Sequence, residues 1–142
     1  MNKKEKEMFD DLVANGSEPD DAERKVQKFS DTNKLKNKLK RLLKNSYVSL
    51  DIVMLNVIEK YAKVYMMTLD MEKEIEQIGL MYDYTNKAGE KNKTKNPIVS
   101  EYKSYIDQLN KLSKTILDAT QPYADVESKD KLDKWLKKHE RK

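Results

Sequence analysis

The side chains able to do chemistry are few in kind and uneven in placement. Cysteine is absent and histidine occurs once, at His139. Disulfides and thiolate metal sites are therefore excluded, and histidine-based acid–base chemistry has almost nothing to draw on. Carboxylates cluster at Asp10-Asp11, at Asp20-Asp21 and at Glu72, Glu74 and Glu76. Each cluster lies among lysines on a segment of helical pattern, where solvated pairing accounts for it. No glycine-rich phosphate cradle, Ser-His-Asp set or metal-ligand spacing occurs. The reading is a chain that is not an enzyme and that holds no metal and no cofactor.

The cations are distributed differently. From Asn33 to Asn45 the chain carries Lys34, Lys36, Lys38, Lys40, Arg41 and Lys44 without one acidic residue. Cations on a rigid rod displace the counterions condensed on a duplex, so this segment is a candidate for contacts to DNA phosphates. The plain competing reading is a lysine-rich face that keeps an amphipathic helix soluble. No aromatic residue interleaves the cations, which argues against a stacking platform for single strands. A second basic group, Lys87, Lys91, Lys93 and Lys95, is opposed by Glu90 alone. Lys91, Lys93 and Lys95 are assigned a supporting role on DNA.

These cations must be positioned by helices. Residues 4–14 predict a short helix with Met8, Leu12 and Val13 on one side, closed by Asn15-Gly16. Ser17 is the expected cap of a second helix that runs to about Phe29, with Ala22 and Val26 inward. Ser30-Asp31-Thr32-Asn33 reads as a break, and a third helix over 33–45 follows with Leu35, Leu39, Leu42 and Leu43 on one face. Three short helices joined by tight turns are compatible with a helix-turn-helix.

From Ser49, the expected cap, a long helix runs to about Ile78 with Gly79 as its stop. It carries an apolar seam at Leu50, Met54, Val57, Tyr61, Val64, Met71, Ile75 and Ile78, which only Thr68 interrupts. After a polar loop, Asn96-Pro97 restarts a helix whose seam is Ile98, Tyr102, Tyr105, Leu109, Leu112 and Ile116. Spacings that alternate four and three keep one side of a helix against a partner over many turns. In the loop, Tyr82 and Tyr84 alternate with polar residues and suit an extended segment. Beyond Pro122 a mixed-charge tail holds one short helix with Leu132, Trp135 and Leu136 at helical spacing. This patch either docks back on the hairpin or docks a partner.

Charged residues make up 38% of the chain and the hydrophobic set 37%, which predicts a thin internal core. Part of the seam surface is then expected between subunits, through Met54, Val57, Tyr61, Val64, Met71, Ile75, Tyr102, Tyr105, Leu109 and Leu112. No run of apolar residues approaches a membrane span, and the first residues lack an apolar signal core, so the expectation is a cytoplasmic protein with no membrane partner.

The stretch from Tyr61 to Pro122 resembles the phage terminase small subunit family, of the type common in phages of Gram-positive bacteria. The resemblance rests on an ordered set: Tyr61-Ala62, Gly79, Thr85-Asn86-Lys87-Ala88-Gly89, Lys95-Asn96-Pro97 and Leu109-Asn-Lys-Leu112. Where the family has a Leu-Gly-Leu-Thr-Pro-like phrase and a nearby Arg, this chain has Leu117-Asp-Ala-Thr-Gln-Pro122. The resemblance implies a subunit of a DNA-packaging motor in the host cytoplasm. It would assemble into a homo-oligomeric ring, bind double-stranded phage DNA at the packaging site, and recruit or regulate the large ATPase and nuclease subunit. The expected fold is all-α, in three parts. Residues 1–48 form a basic helical module, 49–121 an antiparallel hairpin as oligomerisation core, and 122–142 a C-terminal tail for partner docking. Two other readings fit the residues alone: a helical DNA-binding regulator of a mobile element, and a coiled-coil adaptor without DNA affinity.

Overall fold

The computed structural model describes residues 1–120 and 126–140, with the backbone alone for 126–129. Of the break expected over Asp118–Pro122, Asp118 and Ala119 belong to a helix that Thr120 caps, and Gln121 and Pro122 lie outside the described residues. The chain is mostly helical, with one small antiparallel sheet inserted between the third and fourth helices.

Helix α1 spans Lys3–Ala14 and opens with a capping box. The Asn2 side chain accepts from the Glu5 amide at 2.9 Å, and the Glu5 carboxylate accepts from the Asn2 amide at 3.0 Å. The Asn2 amide's hydrogen bond, ahead of a bond from Ser30, holds the Glu5 carboxyl below its ordinary value. At the other end Gly16 takes φ 93° while the Ser17 amide bonds Leu12 O and the Gly16 amide bonds Val13 O. Both bonds of a Schellman closure are present.

Helix α2 is one rod, Pro19–Asn45, where the sequence predicts two helices with a break at Ser30–Asn33. Its cap residue is Glu18, without a side-chain bond, rather than Ser17. The polar residues of the expected break are absorbed within the helix. Thr32 Oγ1 donates to Lys28 O at 2.7 Å, and Gln27 Nε2 donates to Asp31 Oδ1 at 2.9 Å. The apolar sets on either side are out of helical phase, and the fold uses that offset. The first half lies along α1, with Lys4 5.7 Å from the centre of the Phe29 ring, while Leu39, Leu42 and Leu43 enter the main core. The N-terminal part is therefore two antiparallel helices, and a separate third helix is not formed.

Helix α3, Ile52–Ile78, is capped by Asp51, whose carboxylate accepts from the Met54 amide at 2.8 Å; Ser49 lies outside it. It stops at Gly79, φ 86°. Strands β1, Met81–Thr85, and β2, Lys91–Lys95, then pair in the register Met81↔Lys95, Asp83↔Lys93 and Thr85↔Lys91. The Thr-Asn-Lys-Ala-Gly phrase is the turn between them. The Asn86 side chain accepts from the Ala88 and Glu90 amides, and Gly89 takes φ 82°, as a three-residue hairpin loop requires. An all-α fold is thus corrected to a helical fold with a β-hairpin.

Helix α4, Pro97–Ala119, begins at Asn96, which is 3% exposed. Its side chain accepts from the Ile98 amide at 3.1 Å and donates to Gly79 O at 3.0 Å, while its own amide bonds Leu80 O at 2.9 Å. One residue caps α4 and ties it to the end of α3. The Lys-Asn-Pro phrase is the base of the hairpin.

Lys28 pairs with Asp70 and Lys36 with Glu59, so α2 runs antiparallel to α3. With Asn96 at the start of α4 bonded to Gly79 at the end of α3, a Tyr102–Glu72 hydrogen bond of 2.7 Å further along shows α4 antiparallel to α3 as well. Helix α5, Val126–Lys138, completes the core with Leu132 and Leu136, which are buried. That core also contains Leu39, Leu43, Ile58, Tyr61, Val64, Leu109 and Ile116, drawn from both sides of the expected division at residue 48. Trp135 lies 6.2 Å from the Tyr61 ring and stacks on His139 at 4.2 Å, with Tyr65 beside them. Thr68, the polar interruption of the seam, is buried and donates to Tyr65 O at 2.6 Å.

Candidate nucleic-acid interface

The acid-free half of α2 does not present its six cations alike. Residues 34, 37, 41 and 44 follow one another at three- and four-residue steps on the side away from Leu39, Leu42 and Leu43. Lys34, Arg41 and Lys44 therefore share the outward face, and all three are exposed. Lys38 is exposed on the border toward α5, in a groove with Leu35, Trp135 and His139. Lys36 and Lys40 turn toward α3. The Lys36 side chain is only 19% exposed and its Nζ lies 3.0 Å from Glu59. The hydrogen bond from Lys36 holds the Glu59 carboxyl below its ordinary range, with Lys63 and Lys40 adding to the field. Lys34 sits 4.0 Å from Asp31, which is weak at that exposure. Among the described residues no ion pair engages Lys38, Arg41 or Lys44.

The second basic group is ordered by the strand. Lys91, Lys93 and Lys95 alternate along β2, so their side chains share one face of the hairpin, opposite Thr85, Asp83 and Met81. All three are exposed. They do not join the cations of α2. Lys36 stands level with Glu59, nineteen residues before the end of α3 at Ile78. At 1.5 Å per residue that is about 28 Å along the helix, with the hairpin beyond it. The loop lysines, expected to assist the basic helix, stand at the opposite end of α3 from it.

The residues expected between subunits are spent largely inside the chain. Tyr61, Val64 and Leu109 are buried in the core, and Met54, Val57, Tyr105 and Leu112 are half-buried against it. Met71, Ile75 and Tyr102 are half-buried nearer the hairpin. The seams of α3 and α4 face each other within the chain. The docking patch is likewise internal. Leu132 and Leu136 are 0% and 2% exposed and Trp135 packs on Tyr61, so the tail docks back on its own chain. Sequence periodicity passes over several large apolar residues that stay exposed, among them Tyr47, Ile52 and Val53 at the α2–α3 corner and Leu80 and Met81 at the hairpin base; Ile78, the last position of the α3 seam, is exposed as well. They lie at or beyond helix ends, where periodicity carries no information. Apolar residues outside the seam phase, such as Val53, were the available signal.

Among the described residues no group of acidic or histidine side chains is placed to hold a metal ion, and no helix is long and apolar enough to cross a membrane. Searches of curated proteins and of solved structures return no match. A family model described as phage terminase, small subunit, matches residues 36–116. That span is more than half of the 142 residues and runs from the basic half of α2 through the β-hairpin to the end of α4. The hairpin turn, the Asn96 latch and the paired helices all lie within it, and this chain belongs to the phage terminase small subunit family.

Proposed function

We propose that the chain serves phage DNA packaging as an oligomer with a division of labour: α2 holds double-stranded DNA at the packaging site, and the assembled subunits recruit or regulate the large terminase subunit in the host cytoplasm. Family membership supports the packaging role in general. The observation that carries the DNA reading is the outward face of α2, where Lys34, Arg41 and Lys44 stand on a rigid rod in a stretch without a carboxylate. Lys38 adds a fourth exposed cation beside them. Lys36 contributes less, because its charge is already partnered by Glu59. The β2 lysines form a second basic surface for phosphates, at the far end of α3.

The measurement is affinity for duplex DNA as a function of salt. Each phosphate contact contributes roughly 0.9 to the slope of log K against log salt on B-DNA. Replacing Lys34, Arg41 and Lys44 together by alanine is expected to lower affinity and to flatten the slope by about 2 to 3 units. Replacing Lys36 alone should change the slope little. An unchanged slope in the triple variant removes α2 from the interface.

A further inference from the structure

We infer that the groove between α2 and α3 receives an acidic amphipathic helix of the large terminase subunit. This rests on the recruiting role proposed above and names the surface and the chemistry of that contact. Two clefts of about 370 and 380 Å³ lie along these helices and share Asp31, Met66 and Leu69, so they form one groove. Its floor is apolar. Leu35, Met66 and Leu69 are half-buried there, and Tyr65 and Trp135 wall one end. A methionine in such a floor adapts its shape to an incoming side chain. From Arg24 to Lys38 the groove runs about 21 Å along α2, which is room for about four helical turns.

Charge decides the occupant. Arg24, Lys25, Lys28, Lys38 and Lys73 line the groove against the carboxylates Asp31 and Asp70. Asp70 pairs with Lys28, and Asp21, from outside the lining, holds Lys25 at 2.8 Å. Asp31 accepts from Gln27, with Lys34 4.0 Å away. Among the described residues no ion pair engages Arg24, Lys38 or Lys73, and all three are exposed. Glu23 and Glu74 adjoin two of them in sequence but do not line the groove, since adjacent positions of a helix face different ways. The Lys28–Asp70 pair reaches from α2 to α3, yet both side chains are half exposed, so an incoming carboxylate can replace Asp70 at little cost. What remains is an apolar floor with unmatched cations at both ends. A nucleic-acid duplex would use the cations and leave the floor wet; an apolar stripe flanked by carboxylates uses both. Both walls are helices and offer no strand edge to extend, so the occupant must satisfy its own backbone, as a helix does.

The test is the affinity of the full chain for the purified large subunit of the same phage, measured by calorimetry. One variant joins Arg24→Glu to Lys73→Glu and reverses the charge at one end; the other, Leu69→Asp, charges the floor. Positions 24 and 73 are exposed, so the first variant carries the test alone if Leu69→Asp loses its helical circular dichroism. Each is expected to weaken binding by about tenfold or more, with the salt slope for duplex DNA little changed. Unmodified affinity in both overturns the groove and leaves the recruiting reading standing. Weakening by the charge variant alone, with Leu69→Asp folded and binding normally, overturns the apolar seat. A charge variant that flattens the DNA salt slope and spares large-subunit binding makes nucleic acid the occupant, and a variant that changes the mass of the chain alone in light scattering makes it a second copy; either result overturns the helix. An unmodified chain with no affinity for the large subunit overturns the recruiting reading and this one with it, while the DNA reading stays separately measurable.

Discussion

Tyr47 shows what a single backbone angle costs at a helix end. The helix closure at α1 and the one at α2 are the same motif. At α2 the Val48 amide bonds Leu43 O and the Tyr47 amide bonds Lys44 O, as Ser17 and Gly16 do at α1. The left-handed position is glycine in the first and tyrosine in the second. A side chain there costs about 1–2 kcal/mol, partly recovered because glycine loses more entropy on folding. Tyr47→Gly is therefore expected to raise stability by about 0.5–1 kcal/mol in urea unfolding. A loss of stability would show that the Tyr47 ring contributes to the monomer despite its exposure. Glycine at 16, 79 and 89 was legible as helix stop or turn, and Asn96-Pro97 as a helix start. Tyr47 was not, because a tyrosine gives no sequence signal for a positive φ.

At the scale of elements, α2 is the piece that pattern reading divides and packing unites. Ser30 to Asn33 are residues that favour caps, and the apolar sets before and after them are out of phase. Both signals say two helices. Continuity comes from tertiary structure: α1 lines the first half, and α3 and α5 take the second, so each set finds a neighbour without a bend. The hairpins were easier to read, since seams with alternating steps of three and four residues belong to no other element. Their partner was the harder question. Composition pointed to burial between subunits, yet α5 and the α2 leucines supply the missing core from within.

The Lys36–Glu59 pair, which locks α2 to α3, gives this packing a pH signature. Glu59 titrates below its ordinary value of 4.5 in the fold. A carboxyl with a depressed folded value stabilises above its unfolded value, and that contribution is lost as pH falls through the folded one. Stability is expected to decline below about pH 4.5 by a component that Glu59→Gln removes. Half the Glu59 side chain is exposed, so the component is small at high salt. Comparing the unfolding midpoints of the two proteins from about pH 6 down to about pH 3, across the titration range of a carboxyl, checks it. Parallel curves would remove Glu59 as a source.

For the whole molecule, one modest core is shared by four helices, and α5 closes it. Leu132 is fully buried, so Leu132→Ala should cost about 2–5 kcal/mol. That is a large fraction of the stability of a domain this size, and thermal unfolding should register it as a pronounced fall in Tm. A fall no larger than that of an exposed α5 substitution, such as Lys134→Ala, would place α5 outside the cooperative unit. The existence of this tail helix was legible at Leu132, Trp135 and Leu136. Its choice of its own core over a partner was not, because an apolar patch at helical spacing fits either surface equally well.

The position of α5 along the chain also sets an order in time. During synthesis at about 5–20 residues per second, the seventeen residues from Ala119 to Leu136 take roughly one to three seconds to add. Until α5 docks, the core face that α2, α3 and α4 present to it is uncovered. A nascent chain of this protein therefore passes through a moment of sticky incompleteness, and crowding of several ribosomes on one message would bring such faces together. The helix that seals the core is also the one that ends this exposure, which ties soluble yield to how promptly α5 docks.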